Sequence, residues 1–250
     1  MPGVDLGTAV VPTFTQHPVS LAAQAITAQA FCDHRLTLGI GLNHKPIVEG
    51  VWGMSFEKPV RHLREYLDIL DGLFNEGQAN VSGELFTLHS MGPQPRLTET
   101  PPRIMVAALG PQMLRLAGKR TDGTILWMTG PRTIAEHIAP TINEAASNAG
   151  CPAPRIVASL PIGVTDDVDG LREFAATAFA GYGELPSYRA MMDREGADGP
   201  ADLAIIGSEA EVADQLAELG ESGATEFAAS EIATTEEDAD RTRELLKTLL

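Results

Sequence analysis

The sequence is poor in cysteine and in basic residues, and each shortage argues against a class of protein. Its two cysteines, Cys32 and Cys151, lie far apart and have no metal-binding or redox spacing. A disulfide framework does not fit, and unpaired thiols in a reducing cytosol are expected. Lys and Arg total 18 against 34 Asp and Glu, a formal net charge of −16. Such a surface repels phosphate backbones and anionic lipid, so we predict a cytoplasmic protein with no nucleic-acid or membrane partner.

Long apolar runs and several well-known motifs are also missing. No apolar run approaches the roughly 18 residues of a membrane span, and the N-terminus lacks a signal-peptide pattern. There is no Gly-x-Gly-x-x-Gly after a strand, no Walker loop, no Gly-x-Ser-x-Gly elbow and no cluster with metal-ligand spacing. These absences argue against a Rossmann dehydrogenase, a nucleotide hydrolase, an esterase and a metalloenzyme, and no metal is predicted.

Strand-like apolar runs alternate with helical patterns from one end of the chain to the other. Most of the runs are continuous, which is typical of parallel strands covered on both faces. Strands are predicted over 4–11, 35–41, 103–108, 123–128, 155–164 and 224–230. Helices are predicted over 18–31, 57–75, 111–119, 131–149, 167–181, 186–195, 208–221 and 236–249. This order predicts βαβ units around a parallel sheet.

A single domain over residues 1–250 is the simplest organisation, since no linker divides the chain. Two insertions interrupt it, at about 76–102 and 182–202. The first contains a predicted hairpin turning at Ser82-Gly83 and an irregular proline-rich stretch over 91–102. Capping-box patterns predict helix starts at residues 133–136 and 208–211. Six strands suit either a doubly wound sheet or a (β/α)₈ barrel that is two strands short, and periodicity does not separate the two.

Several segments resemble the luciferase-like flavin- or F420-dependent oxidoreductases. Residues 6–13 (LGTAVVPT) and 35–42 (RLTLGIGL) resemble the third and fourth barrel strands of that family. Residues 82–86, 107–111 and 207–212 resemble its hairpin, its fifth-strand end and its closing segment. The resemblance implies an α/β fold, a luciferase-like (β/α)₈ TIM barrel, closest to the F420-dependent type.

In that family two βα units precede the strand that residues 6–13 resemble. The chain is therefore expected to lack the first two βα units of the barrel. An open barrel leaves edge strands unpaired and apolar helix faces exposed, so poor solubility or pairing with another chain is expected.

The implied function is hydride transfer between coenzyme F420 and a small organic substrate. One alternative is an FMN-dependent monooxygenase of the same fold, and another is a non-catalytic barrel fragment. The family also makes a homodimer plausible. Because F420 carries an acidic tail, a basic rim is expected, with candidates Lys45, Arg115, Lys119, Arg120 and Arg132.

The candidate cofactor-binding residues follow predicted strands, because barrel sites form at the carboxyl ends of the strands. By resemblance, Thr8, Ala9 and Val10 form a bulge with a non-prolyl cis peptide that backs the cofactor ring. Leu109, Gly110 and Pro111 end a strand and open a helix, where free N–H groups suit a phosphate. An ordinary buried strand and an ordinary βα turn are the competing interpretations.

The loop after the fourth-strand pattern carries the candidate catalytic residues. Asn43 and His44 fall just past the strand, and His44 is predicted to hydrogen-bond the cofactor or transfer a proton. Glu49 follows in the same loop as a second acid–base candidate. Thr129, after the sixth-strand pattern, is a candidate contact for phosphate or substrate. Surface roles are the competing interpretation for the histidine.

Overall fold

The computed structural model of the chain describes residues 3–93 and 98–249. Residues 94–97, part of the predicted irregular stretch 91–102, lie outside the described residues. The described strands are β1 (Leu6–Gly7), β2 (Val11–Pro12), β3 (Leu36–Gly41), β4 (Asn80–Ser82), β5 (Thr87–His89), β6 (Arg103–Val106), β7 (Gly123–Trp127), β8 (Arg155–Val164), β9 (Ile205–Gly207) and β10 (Glu226–Glu231).

Helices follow most of these strands, and two other helical turns accompany them. The α-helices are α1 (Pro18–Phe31), α2 (Lys45–Gly50), α3 (Pro59–Asn75), α4 (Pro111–Arg120), α5 (Pro131–Thr133), α6 (Ala139–Ala149), α7 (Val168–Ala178), α8 (Ala180–Gly183), α9 (Pro186–Glu195), α10 (Glu209–Glu221) and α11 (Glu236–Thr248). A π-helical turn at Ile134–Ile138 joins α5 to α6, and a 3-10 turn spans Pro200–Leu203.

All six predicted sheet strands occur, with changes at their ends. β8 matches the predicted range, whereas the predicted strand 4–11 is divided into β1 and β2. The hairpin of the first insertion is present as β4 and β5. The short elements that the sequence did not predict include β9 and α2. Elements of three and six residues are too short to leave a periodic pattern.

Residue contacts group the chain into two compact units. The first comprises Met1–Ala108, Gln112–Thr124 and Ala145–Pro154. Its parallel sheet has the order β1-β3-β6-β7, and β2 also pairs with β3. Helices α1 and α3 pack against each other, and α3 buries a stripe of apolar side chains. The prediction of a single domain over the whole chain stays a prediction.

The second unit comprises Leu109–Pro111, Ile125–Glu144 and Arg155–Leu250. Its sheet is built on the ten-residue strand β8, which pairs with β7, β9 and β10. β9 and β10 both run parallel to β8. Because β8 is covered on both sides, its last five residues are all buried, as the continuous apolar run predicts.

The hairpin of the first insertion is attached to α3 by two carboxylates. Glu65 of α3 accepts hydrogen bonds of 2.8–3.0 Å from the backbone N–H groups of residues 84–86. Burial acts to raise the pKa of Glu65, but these three bonds outweigh it and hold the pKa below its ordinary value. Glu84 at the hairpin tip pairs with Lys58 and Arg61. The hairpin is therefore held in a defined position on the helix.

A glutamate of α9, in the second insertion, caps the N-terminus of the helix that follows β7. The carboxylate of Glu195 accepts from the N–H of Arg132 (3.1 Å) and of Thr133 (2.7 Å). The helix begins at Pro131, as the predicted range 131–149 has it, but the capping box predicted at residues 133–136 is wrong. The N-cap is Gly130, three residues before Thr133, and the Thr133 hydroxyl donates to the carbonyl oxygen of Met191 (3.2 Å). A carboxylate from a distant helix supplies the cap, and the helix dipole favours it there.

A buried histidine lies inside an aromatic cluster of the first unit. The His62 ring stacks on Phe14 with centroids 4.1 Å apart, and Tyr66 and Phe86 complete the cluster. Its Nε2 lies 3.1 Å from the Thr13 hydroxyl. Burial lowers the pKa of His62 to about 4, with a smaller opposing effect from a nearby carboxylate. The imidazole is therefore neutral near pH 7.

We expect this burial to make the free energy of unfolding depend on pH. The unfolded chain has the ordinary histidine pKa of 6.5, so between that pH and about 4 it binds a proton that the folded chain does not. Stability from this group is complete above pH 6.5 and falls as the pH drops, by at most about 1.4 kcal/mol per pH unit. Urea unfolding between about pH 5 and about pH 7.5 measures this slope.

His62→Gln is the matched variant, since its amide can still bond Thr13 but does not titrate. We expect its pH slope to be shallower than that of the wild type over this range. Equal slopes in the two proteins would contradict the assignment of a neutral buried His62.

Candidate functional site

Residues 8–10 leave the parallel ladder between β1 and β2 and form a bulge beside β3. The Thr8 hydroxyl donates to the Gly39 carbonyl oxygen (2.8 Å) and accepts from the Gly39 N–H (2.9 Å). A non-prolyl cis peptide joins Ala9 to Val10, and Ala9 is exposed. The bulge and the cis peptide expected from the resemblance are both present.

A glycine at the end of β3 lets the bulge approach closely. A Cβ atom on Gly41 would lie 2.7 Å from Cγ2 of Val10 and 3.3 Å from Cβ of Ala107. The N–H of Ala107 donates to the Ile40 carbonyl oxygen (2.9 Å), which extends the pairing of β3 with β6. The bulge, the end of β3 and the end of β6 therefore meet at one edge of the first unit's sheet.

Asn43 and His44 lie just beyond the carboxyl end of β3. Asn43 adopts a left-handed conformation (φ 62°), which asparagine tolerates, and its Oδ1 accepts from the His44 N–H at 2.7 Å. His44 is half-buried at the start of α2, and desolvation lowers its pKa below 6.5. Its imidazole is mainly neutral at pH 7. The structure brings both residues to the sheet edge that carries the bulge.

Glu49 lies on α2, the short helix that begins after His44. Its carboxylate lies 3.8 Å from the Lys45 ammonium, and it accepts from the Phe56 N–H at 3.3 Å. The Glu49 side chain is 41% exposed. Its contacts hold the end of α2 to the following loop, and its role in catalysis stays a prediction.

The turn at Leu109–Pro111 belongs to the second unit. Gly110 is exposed, and no heavy atom lies within 4 Å of the position that its Cβ would take. The Leu109 carbonyl oxygen accepts from Nε2 of His137 (2.8 Å), and Pro111 opens α4. Within the described residues no group accepts a hydrogen bond from the Gly110 N–H. The turn thus offers an open position and an unused donor.

Thr129, also in the second unit, is placed differently. Its side chain is buried, and its hydroxyl donates to the Trp127 carbonyl oxygen (3.2 Å). The Trp127 ring packs edge-on against Phe179 and Tyr182. In the part of the chain that the structure describes, no acceptor faces the buried Trp127 Nε1. Binding of phosphate or substrate by Thr129 stays a prediction.

Most of the predicted basic rim is paired with carboxylates. Lys45 lies near Glu49, and Arg132 lies 3.4 Å from Glu136. Arg120 bonds two aspartates of α3 at 2.8 and 2.7 Å. The other two candidates, Arg115 and Lys119, are exposed on α4. Among the five predicted rim residues, the two without a carboxylate partner in the described part of the chain therefore both lie on α4.

Two absences hold over residues 3–93 and 98–249, the part of the chain that the structure describes. No three His, Cys, Asp or Glu residues of these ranges are grouped so that they could hold a metal ion. No helix within them has the length and apolar character needed to cross a bilayer.

Three residues that shape these sites, namely His62, Glu195 and His137, have no signal in the sequence. Each acts on a backbone or side-chain group far away in sequence, by 28 residues or more. No local pattern signals such a contact, because only the fold brings the partners together. Gly41 is different, since two glycines within one strand already indicate close approach.

Curated relatives match much of the chain. An uncharacterised protein of Mycobacterium tuberculosis is 26% identical over 206 residues, which make up 77% of this chain and 61% of that protein. An F420-dependent glucose-6-phosphate dehydrogenase of Kineococcus radiotolerans is 29% identical over 181 residues, 70% of this chain and 53% of that enzyme. The chain thus spans between 53% and 61% of the length of these relatives.

Solved structures show the fold. A coenzyme F420-dependent tetrahydromethanopterin reductase from Methanopyrus kandleri matches with a TM-score of 0.78 at 18% identity, covering 97% of this chain and 81% of the reductase. The oxygenating constituent of 3,6-diketocamphane monooxygenase from Pseudomonas putida, in complex with FMN, matches with a TM-score of 0.71 at 16% identity, covering 99% and 80%. The predicted α/β fold of the luciferase-like TIM-barrel type is confirmed, whereas the expected lack of the first two βα units stays a prediction.

The sequence profile described as luciferase-like monooxygenase matches residues 2–226. This match takes in the bulge, the end of β3 and the Gly110 turn. The resemblance inferred from short motifs therefore holds along most of the sequence. The chain belongs to the luciferase-like monooxygenase family.

Proposed function

We propose that the chain binds coenzyme F420 and acts as an oxidoreductase on a small organic substrate. Membership of the family supports oxidoreductase chemistry, and a relative named as an F420-dependent dehydrogenase supports the cofactor. When bound, F420 would supply the acceptor or donor of a hydride. The identity of the substrate, a homodimer and a cytoplasmic location stay predictions.

The bulge at residues 8–10 is the observation that carries the proposal. The Thr8 hydroxyl donates to the Gly39 carbonyl oxygen and accepts from the Gly39 N–H. These two hydrogen bonds hold the bulge against β3. Ala9 then presents a small, exposed side chain. A flat ring system can lie against such a surface with little steric hindrance. We assign Thr8, Ala9 and Val10 to support of the cofactor ring.

The Gly110 turn is the proposed site for the cofactor phosphate. Its exposed glycine leaves room for a ligand, and its N–H is available as a donor to an anion. The first turn of α4 adds the positive end of a helix dipole. Leu109 and Pro111 set the turn on either side of this glycine. Thr129 is a weaker candidate, since its hydroxyl already donates to a backbone carbonyl.

His44 is the proposed acid–base residue of the reaction. Desolvation keeps its imidazole mainly neutral at pH 7, which suits it to accept a proton from a substrate hydroxyl. Asn43 fixes the backbone beside it through the bond to the His44 N–H. Glu49 is a second candidate, and its pairing with Lys45 would need to open for proton transfer.

An FMN-dependent monooxygenase is the second candidate, and one observation favours it. Lys45, Arg120 and Arg132 already have carboxylate partners, so three of the five predicted rim residues offer little positive charge to the acidic tail of F420. FMN carries a single phosphate and makes a smaller demand on basic residues. The FMN-bound neighbour of the same fold supports this alternative.

Titration with F420 tests the proposed function directly. We expect the chain to quench F420 fluorescence saturably, and more tightly than it binds FMN in a parallel titration. Tighter binding of FMN would make the monooxygenase the better assignment. A folded chain that binds neither cofactor would contradict both enzymatic proposals and support the non-catalytic alternative.

Gly41→Ala is expected to disturb the bulge. The added methyl would lie 2.7 Å from Cγ2 of Val10, and overpacking of this kind costs about 1–3 kcal/mol of stability. The neighbours must then move, so we expect a lower urea midpoint and weaker F420 binding. Fluorescence quenching and urea unfolding measure the two effects.

Gly50→Ala is the matched control, since no heavy atom lies within 4 Å of the position that its Cβ would take. We expect it to bind F420 like the wild type. Adding Val10→Ala to the Gly41→Ala variant removes the clashing methyl and should recover part of the lost affinity. Wild-type binding by Gly41→Ala would show that the bulge does not support the cofactor.

A further inference from the structure

His137 lies on the π-helical turn that joins α5 to α6. A π turn displaces the residues of a helix from their usual positions and is often retained where a side chain has a specific task. The Ala139 N–H bonds the Ile134 carbonyl oxygen, five residues back, and the Thr141 hydroxyl bonds the His137 carbonyl oxygen at 2.6 Å. The backbone bond defines the π turn, whereas the Thr141 hydroxyl is a side-chain addition to a carbonyl oxygen and does not contact the His137 ring.

The His137 ring contacts the Gly110 turn through one hydrogen bond. Its Nε2 lies 2.8 Å from the Leu109 carbonyl oxygen. A carbonyl oxygen only accepts, so Nε2 must carry a hydrogen and donate it. This bond fixes the tautomer of the ring and holds one side of the peptide that joins Leu109 to Gly110.

The orientation of that peptide determines where the Gly110 N–H points. The Leu109–Gly110 bond is trans, and in a trans peptide the C=O and N–H groups point in opposite directions. With its carbonyl directed at His137, the peptide directs the Gly110 N–H away from the π turn. Gly110 is exposed there, with open space where a Cβ would be.

We infer that His137 is a positioning residue, which orients the Gly110 N–H toward an anionic group of the ligand. The inference rests on the proposed function, in which the Gly110 turn holds the cofactor phosphate. His137 does not touch that phosphate. It prevents the flexible glycine peptide from rotating, so that the N–H is already aimed when the phosphate arrives.

The test compares ligands with and without the phosphate; FMN and riboflavin differ in the phosphate alone, whereas F420 and its chromophore differ in the acidic tail as well. F420 is titrated beside its deazaflavin chromophore with a free ribityl hydroxyl, and FMN is titrated beside riboflavin. We expect His137→Leu to weaken binding of the phosphate-bearing ligand by about tenfold, as for one hydrogen bond to a charged group. Binding of the phosphate-free ligand should change by less than about twofold, within ordinary variation for independent sites.

Two variants separate orientation of the peptide from general damage to the fold. His137→Gln retains a side-chain N–H donor and should recover part of the affinity for the phosphate-bearing ligand. Thr141→Val removes the other side-chain bond of the π turn and leaves the contact with Leu109 in place. We expect it to bind both ligands like the wild type.

The outcomes distinguish this inference from the proposed function. A wild-type chain that binds neither F420 nor FMN overturns both. Where the wild type binds, unchanged affinity in His137→Leu overturns the inference alone. The inference is also overturned if His137→Leu loses the same affinity for both kinds of ligand. It is overturned as well if Thr141→Val loses affinity for the phosphate-bearing ligand as much as His137→Leu does, because the π turn would then act only through the fold.

Discussion

The pairing of two short segments with one strand is the constraint on which the site of the first unit depends. β1 and β2 both pair with β3, in parallel register, and the residues between them have no place in the ladder. Because residues 8–10 make no ladder bonds opposite Gly39, the N–H and C=O of Gly39 would have no partners on that side of β3. The Thr8 hydroxyl bonds both groups, so the bulge forms without leaving either of them unsatisfied.

Several of the many acidic residues accept hydrogen bonds from backbone N–H groups within the fold. Glu65 caps the hairpin tip through three backbone N–H groups, and Glu195 caps the helix after β7 through two. Glu211 bonds the N–H of Ser208 in a capping box. In each case a carboxylate satisfies donors that would otherwise lack partners. Glu65 and Glu195 attach the two insertions to neighbouring helices, and Glu211 stabilises the first turn of α10.

Two helix starts in the second unit differ in whether a carboxylate of the chain already accepts their backbone N–H groups. The helix that begins at Pro131 has its first donors taken by Glu195, and the Gly130 position is crowded by that side chain. The turn before α4 has an exposed glycine and an N–H that no described group accepts. Only the second is open to an external anion, which is why the phosphate is assigned to Gly110.

Local patterns in the sequence were enough for much of the fold. The continuous apolar run at 155–164 predicts β8, because a strand buried on both faces needs no polar alternation. The capping box at Ser208 predicts the start of α10, because both of its partners lie within one turn. The paired glycines of 39–41 indicate a close approach that the structure places between β3 and the bulge. These features depend on neighbours along the chain.

The sequence by itself determined the order of strands and helices, the family resemblance and the segments that carry the candidate residues. Only the tertiary structure decided that the Thr8 hydroxyl is used internally, that Glu195 replaces the predicted cap at Thr133, and that His137 bonds Leu109. The reason is physical. A periodic pattern or a cap depends on residues a few positions apart, whereas these hydrogen bonds join groups 28 or more residues apart, which only packing brings within 3 Å of each other.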